Sequence, residues 1–150
     1  MLRNQQAQTP LQVTTATFLG DTDSDGLPDA WEQNVFGNLS HDGNTDSDGD
    51  GLSNLAKYIA GTNPNSAASH FRLDISQTAI SFTTVKAEGA GYEGCSRHYG
   101  LETCPDLVAG KWSAVPGYED IVGTNQVVTY TISTASPQQF YRARVRLQQP

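Results

Sequence analysis

Cationic side chains are scarce in this chain. Nine Lys and Arg stand against sixteen Asp and Glu, leaving a net charge of −7 over 150 residues. Binding nucleic acid requires clustered cations to neutralise phosphates, and only Arg142, Arg144 and Arg146 form a row, so nucleic acid is excluded as a partner. At period 2 these three share one face of a strand. They read as a solvated outer face, with Tyr141, Ala143, Val145 and Leu147 turned to the core. Long apolar runs are also lacking. Nothing approaches the ~20 residues a helix needs to cross a bilayer, which excludes membrane insertion of that kind. The first residues, MLRNQQAQTPLQV, contain no apolar segment of the secretory-signal type. Catalytic signatures are missing as well. His41, His70 and His98 lie in different segments, with no nucleophile-elbow, phosphate-loop or zincin motif near them, so the chain is read as a non-enzyme.

What the chain does have is acid in one place. Nine of its carboxylates fall between Asp21 and Asp50 with no Lys or Arg among them, and compacting that much like charge without a cation would cost stability. The spacing names the cation. In DTDSDGLPDAWE, read as a twelve-residue loop, Asp21, Asp23 and Asp25 take positions 1, 3 and 5, Gly26 position 6, Leu27 position 7, Asp29 position 9 and Glu32 position 12. Ca²⁺ takes six to eight oxygens, so alternate carboxylates turn inward, a glycine lets the backbone bend, a carbonyl serves at position 7 and a bidentate glutamate closes the shell. A second loop starts at Asp46, with Asp48, Asp50, Gly51, Leu52 and Asn54 at positions 3, 5, 6, 7 and 9. Its twelfth position is Lys57. An ammonium cannot ligate calcium, so this loop is expected to borrow an oxygen from Asp42, Asn44, the neighbouring loop or water, and to bind more weakly. Two calcium sites are expected.

From Asp21 to Pro64 the chain resembles the thrombospondin type 3 repeat in the form seen in bacterial surface and secreted proteins, and more loosely dockerin. The residues that carry the likeness are DTDSDGLPDAWE and DSDGDGLSNLAKYIAGTNP. The resemblance implies a calcium-dependent module, extracellular or at the cell surface, with ligands at Asp21, Asp23, Asp25, Glu32, Asp46, Asp48 and Asp50. Lys57 departs from the acid usual at the end of the second loop. Bacterial proteins with this repeat often continue into a β-rich segment ending in a motif like FYRARV, which Phe140 to Val145 matches loosely. Cytosolic free calcium is too low to fill sites that bind at roughly 10⁻⁴–10⁻³ M, so the loops outweigh the missing signal, and the chain is expected to be a mature or incomplete form. In such a setting Cys95 and Cys104 most simply form a disulfide around SRHYGLET. Zinc held by Cys95, His98 and Cys104 is the sharper alternative, and it matches no standard spacing.

Periodicity divides the chain into 1–20, 21–66 and 67–150. Leu11 to Leu19, LQVTTATFL, is strand-like with no hairpin partner nearby. DAWEQNVF reads as a helix begun by Pro28 and ended by Gly37, and Leu52 to Ala60 as a second, stopped by Gly61 and Asn63-Pro64. Leu55, Tyr58 and Ile59 should face Trp31, Val35 and Phe36. In the spacer between the loops, Asn38-Leu39-Ser40 satisfies the glycosylation acceptor pattern. After a polar linker, Asn65 to Ser69, the period becomes 2: Phe71, Leu73 and Ile75, then Ile80 and Phe82, then Val128, Tyr130 and Ile132, then Tyr141 to Leu147. Short strands are expected around Tyr92, Tyr99 and Trp112, with one of the turns at Ser136-Pro137.

The expected fold is mainly β: a small antiparallel β-sandwich preceded by an N-terminal extended strand and a two-loop, two-short-helix calcium module. The expected function is a calcium-stabilised extracellular structural protein. Its partners would be copies of itself, each donating the 11–19 strand to a neighbour's sheet edge. Two alternatives stand beside it. One is a glycan-binding or adhesion module with Tyr92, Tyr99, Trp112 and Tyr118 as an aromatic platform, and the other is an accessory domain of a larger secreted enzyme.

Overall fold

A computed structural model describes residues 20–133 and 139–150. The strand expected over 11–19 and the turn expected at Ser136-Pro137 lie outside the described residues. Two helices come first, α1 (Asp29–Val35) and α2 (Asn54–Ala60), followed by β1 (Asp74–Ile75), β2 (Ala79–Thr83), β3 (Ser96–Cys104), β4 (Ser113–Ala114), β5 (Ile121–Val122), β6 (Val127–Thr131) and β7 (Phe140–Gln148). The architecture is mainly β, with antiparallel sheets.

Local chemistry sets the helix ends. Pro28 occupies the N-cap of α1 at φ −68°, followed by Asp29 and Glu32 in the first turn, where negative charge suits the helix dipole. Gly37, just beyond the last turn, takes φ 76°. Ser53 caps α2 by accepting a hydrogen bond from Ala56 N–H at 3.2 Å, and Gly61 closes it in the left-handed region at φ 72°.

One sheet has the order β1-β2-β6. In the other, β3 pairs with β4 and β5 along one edge and with β7 along the other. The β3–β7 ladder is the longest, running from Ser96 opposite Gln148 to Cys104 opposite Phe140. The two sheets share side-chain clusters. Ile80 of β2 packs with Leu101 of β3 and Val115, and Phe82 of β2 packs with Tyr99 of β3 and Val145 of β7. On the other face of β7, Arg142 Nε and Arg144 Nη1 donate to the Glu102 carboxylate at 2.5 and 2.7 Å. Arg146 Nη2 donates to Asp120 at 2.7 Å. The basic row is thus an outer face, held by acids rather than only by water.

β3 overturns the expected disulfide. SRHYGLET is a strand and not a loop, so its flanking cysteines stand at opposite ends of a segment that rises about 3.3 Å per residue, roughly 30 Å in all. A disulfide requires Cα atoms within about 7 Å. Both cysteines are free, and the same separation removes the zinc alternative. Other expectations shift in smaller ways. Tyr92 lies in a turn and not in a strand, and the Phe71-Leu73-Ile75 alternation stops short, since Ile75 is exposed.

The helices dock on the sheets through an aromatic seam and one arginine. Trp31, Tyr58 and Leu27 form a buried cluster that also gathers Val35, Phe36, Leu55, Ile59, Tyr92 and Leu147. The Trp31 and Tyr58 rings meet edge to face at 5.2 Å, and Tyr58 stacks on Tyr92 at 4.7 Å. Arg97 of β3 is 1% exposed. Its guanidinium donates to the carbonyls of Ile59 at 2.7 Å, Val85 and Lys86 at 3.1 Å each, and Tyr58 at 3.4 Å. Two of these carbonyls belong to the C-terminal turn of α2, where a cation suits the helix dipole.

Candidate metal centre

Both acidic loops fold in the same way. In the first, Gly26 N–H donates to Asp21 Oδ2 at 3.0 Å and Leu27 N–H to Asp25 Oδ1 at 2.8 Å. In the second, Gly51 N–H donates to Asp46 Oδ2 at 2.7 Å and Leu52 N–H to Asp50 Oδ1 at 2.8 Å. Position 6 thus bonds position 1 in each loop, and position 7 bonds position 5. The sharp bend places Gly26 at φ 94° and Gly51 at φ 92°, backbone that a glycine adopts without penalty. As a result Asp21, Asp23 and Asp25 each offer an oxygen within 4.8 Å of the others, and so do Asp46, Asp48 and Asp50.

The loops are tied together at Gly43, whose N–H donates to Asp25 Oδ2 at 2.6 Å and whose carbonyl accepts from Leu55 N–H at 2.9 Å. A Cβ at this position would stand 2.6 Å from the Asp25 carbonyl oxygen. Only glycine permits this approach.

Position 12 separates the two loops. Glu32 is fully buried, and neither carboxylate oxygen has a hydrogen-bond partner. Burial, followed by the charges of Asp25, Asp23, Asp29 and Asp21, pushes its carboxyl up to about 7. Burial also raises Asp25, against the hydrogen bonds from Leu27 and Gly43. A buried carboxylate with no donor is costly unless a cation pairs with it. Glu32 stands outside the 4.8 Å group of the three aspartates but feels their charges, so the first loop fits a hard divalent ion held by Asp21, Asp23 and Asp25, with Glu32 and a backbone carbonyl at Leu27 available by the pattern. Asp29, expected at position 9, instead accepts from Thr22 N–H at 2.7 Å and from the Thr22 hydroxyl, contacts that hold its carboxyl below the usual range.

In the second loop Lys57 holds position 12 and is 1% exposed. Its Nζ donates to Asp50 Oδ2 at 2.5 Å, Asp48 Oδ2 at 2.8 Å and the Ser69 carbonyl at 2.9 Å. Burial alone would lower its pKa; the hydrogen bonds and charges of Asp48 and Asp50 outweigh that and hold it above the ordinary lysine value. Asp42, one of the groups expected to complete this site, is tied into the spacer. The Asp42 carboxylate accepts from Asn44 N–H, and its carbonyl accepts from Thr45 and from Asn54 Nδ2. Asn54 also donates to Thr45 Oγ1 at 3.0 Å, while its own Oδ1, fully buried, has no partner.

The remaining predicted residues are dispersed. Asn38 is exposed and ties the spacer, accepting from Ser40 N–H at 3.0 Å and donating to Phe36 O at 3.1 Å. The four aromatics of the expected platform do not gather. Tyr99 is buried, Tyr92 lies on Tyr58, Trp112 lies under Arg142, and Tyr118 packs on Tyr130. One arrangement had no signal in the sequence. Ser96 Oγ lies 2.9 Å from His98 Nε2, and His98 Nδ1 lies 2.7 Å from Asp120 Oδ1. The order is that of a hydrolytic triad. Asp120, however, is shared with Arg146, and none of the three lines the cleft around Trp31 and Arg97 or the one around His70 and Phe71.

Comparison with known proteins agrees with the loop chemistry. The family model described as the bacterial TSP3 repeat matches residues 46–56; repeats of that family bind calcium and are typically extracellular. The match ends one residue before Lys57. No curated protein and no solved structure matches the chain. Among the described residues no helix is long and apolar enough to cross a membrane.

Proposed function

We propose that this chain is a calcium-stabilised, non-enzymatic structural module that works outside the cell, its two sheets forming a small sandwich. The observation that carries the reading is Glu32, a fully buried carboxylate with no partner, at the closing position of a loop that already gathers three aspartates. Calcium at that loop neutralises the acids and fixes the start of α1, and through Leu27 and Trp31 it orders the seam on which the helices dock. The test is thermal unfolding with calcium and with chelator. A melting temperature that rises in calcium is the expected result, and one unchanged by EDTA refutes the reading.

The module assembles with copies of itself, the 11–19 segment of one copy adding to a sheet edge of the next. The supporting observation is β6. Among the described residues it pairs with no strand but β2, and its first residue, Val127, is exposed. An edge of this kind takes an added strand through main-chain hydrogen bonds. A donated strand propagates head to tail. Sedimentation of the full chain and of a 1–19 deletion in millimolar calcium tests this. Assembly should be lost on deletion, while a deletion protein that still polymerises, or a full chain that stays monomeric, removes the idea.

A glycan-binding reading keeps one support, an open cleft of about 490 Å³ between the helices and the sheets, lined in part by Asn34, Asn65, Tyr92 and Asn125. Absence of retention on a glycan array would retire it.

A further inference from the structure

We propose that the second loop carries its own cation, the Lys57 ammonium, so that the module takes one calcium ion and not two. The proposal rests on the reading of the first loop as the calcium site, and the two loops are each other's control. They share the hydrogen bonds from position 6 to 1 and from position 7 to 5, and in both the residue at position 12 is buried to within 1%. In one loop that residue is a carboxylate whose two oxygens lack partners. In the other it is an ammonium, and an ammonium has three N–H donors and no acceptor.

All three donors of Lys57 are used. Asp48, Asp50 and the Ser69 carbonyl lie at 2.5 to 2.9 Å, a complete set of short contacts. The group therefore needs nothing further, and it meets the carboxylates at positions 3 and 5, the side chains that would face a metal. A calcium ion entering there would stand against a positive charge already in hydrogen bond with two of its ligands. To admit the ion, Lys57 would have to leave a buried site on α2 and break its contact with Ser69. The polar oxygen left over in this loop, Asn54 Oδ1, is a single neutral ligand, which does not replace the carboxylate that closes the shell at position 12 of the first loop.

Lys57 also links two segments. By reaching the Ser69 carbonyl it joins the loop to the segment that leads into the sheets, so the half of the module nearer the sheets stays closed at any calcium concentration. Only the half containing Asp21 to Glu32 answers to the ion.

Calcium chloride titrations of the full chain, followed by native mass spectrometry and by amide NMR, test the proposal. The wild type should bind one ion, Glu32→Gln none, and Lys57→Glu two. In the wild type the amide of Gly26 should shift on titration while that of Gly51 stays in place, a readout that needs no variant to fold. Two ions bound to the wild type, or a calcium-dependent shift at Gly51, overturns the proposal. A wild type that binds none while Lys57→Glu binds one refutes the first-loop reading and leaves Lys57 as the resident cation.

Discussion

Replacing Glu32 by Gln should act in opposite directions with and without calcium. The Glu32 carboxyl is raised from an ordinary 4.5 to about 7, chiefly by burial and then by the charges of Asp25, Asp23, Asp29 and Asp21. When the folded pKa lies above the unfolded one, the folded state holds the proton more tightly. The stabilising contribution is then full below about 4.5 and is lost as pH rises through about 7. By pH 8 the ionised carboxylate costs the calcium-free fold about 3 kcal/mol, from a gap of about 2.5 pH units at roughly 1.4 kcal/mol each. Gln removes the charge but leaves a buried amide whose unmet hydrogen bonds cost about 1–2 kcal/mol. The net gain is about 1–2 kcal/mol, or roughly 2–8 °C in melting temperature for a chain of this size. In calcium the sign reverses. An ion at ten to a hundred times its dissociation constant stabilises the wild type by about 1.4–2.7 kcal/mol, whereas a single neutral oxygen cannot close the shell in bidentate fashion. Calorimetry of both proteins at pH 5 and pH 8, in EDTA and in about 10 mM calcium, reads the crossing. In EDTA the wild type should lose stability from pH 5 to pH 8, and calcium should flatten that dependence. A Gln variant that melts lower than wild type in EDTA at pH 8, or that keeps the full calcium shift, refutes the assignment of Glu32 as the closing ligand.

Arg97→Met should cost about 3–5 kcal/mol, because it strips the donor from the buried carbonyls of Ile59, Val85 and Lys86; denaturant unfolding in calcium measures it, and a loss under 1 kcal/mol would remove Arg97 as the staple between helices and sheets. Gly43→Ala would set a Cβ 2.6 Å from the Asp25 carbonyl oxygen, which should cost about 1–3 kcal/mol by overpacking and weaken calcium binding, with titration calorimetry as the check and an unchanged affinity as the contrary result. Cys95 and Cys104 should both alkylate in the denatured chain without reductant, and in the native protein the half-buried Cys95 should react before the buried Cys104. A mass two hydrogens lower, with no alkylation, would restore the disulfide.

Where chemistry follows from near neighbours in the chain, the residues alone were sufficient. The calcium pattern is a matter of intervals of two, with a glycine at the sixth place, and the loops at Asp21 and Asp46 fold with the same hydrogen bonds because those intervals are the same. Pro28, Gly37 and Gly61 mark helix ends as read, each acting on its own backbone, whereas the second helix begins at Asn54 after the Ser53 cap and not at Leu52. The alternation of β7 was legible because one of its faces is apolar and the other carries three arginines.

What tertiary structure decided were the residues whose meaning depends on a distant partner. A short strand was expected around Tyr99, but the full length of β3 was not legible because, paired along both edges and buried at nearly every position, it has no alternation to read, and two cysteines flanking SRHYGLET invited a loop. Arg97 carried no expectation from the sequence, and its role follows from the carbonyls of α2 and of residues 85–86 that close around it. Lys57 is the sharpest case. By its place in the loop it was a missing ligand, and only the approach of Ser69, twelve residues on, together with the turn that brings Asp48 and Asp50 to the same nitrogen, made it the cation the loop contains. Spacing along the chain fixes which atoms can point inward; which charge they find there depends on what the rest of the fold packs behind them.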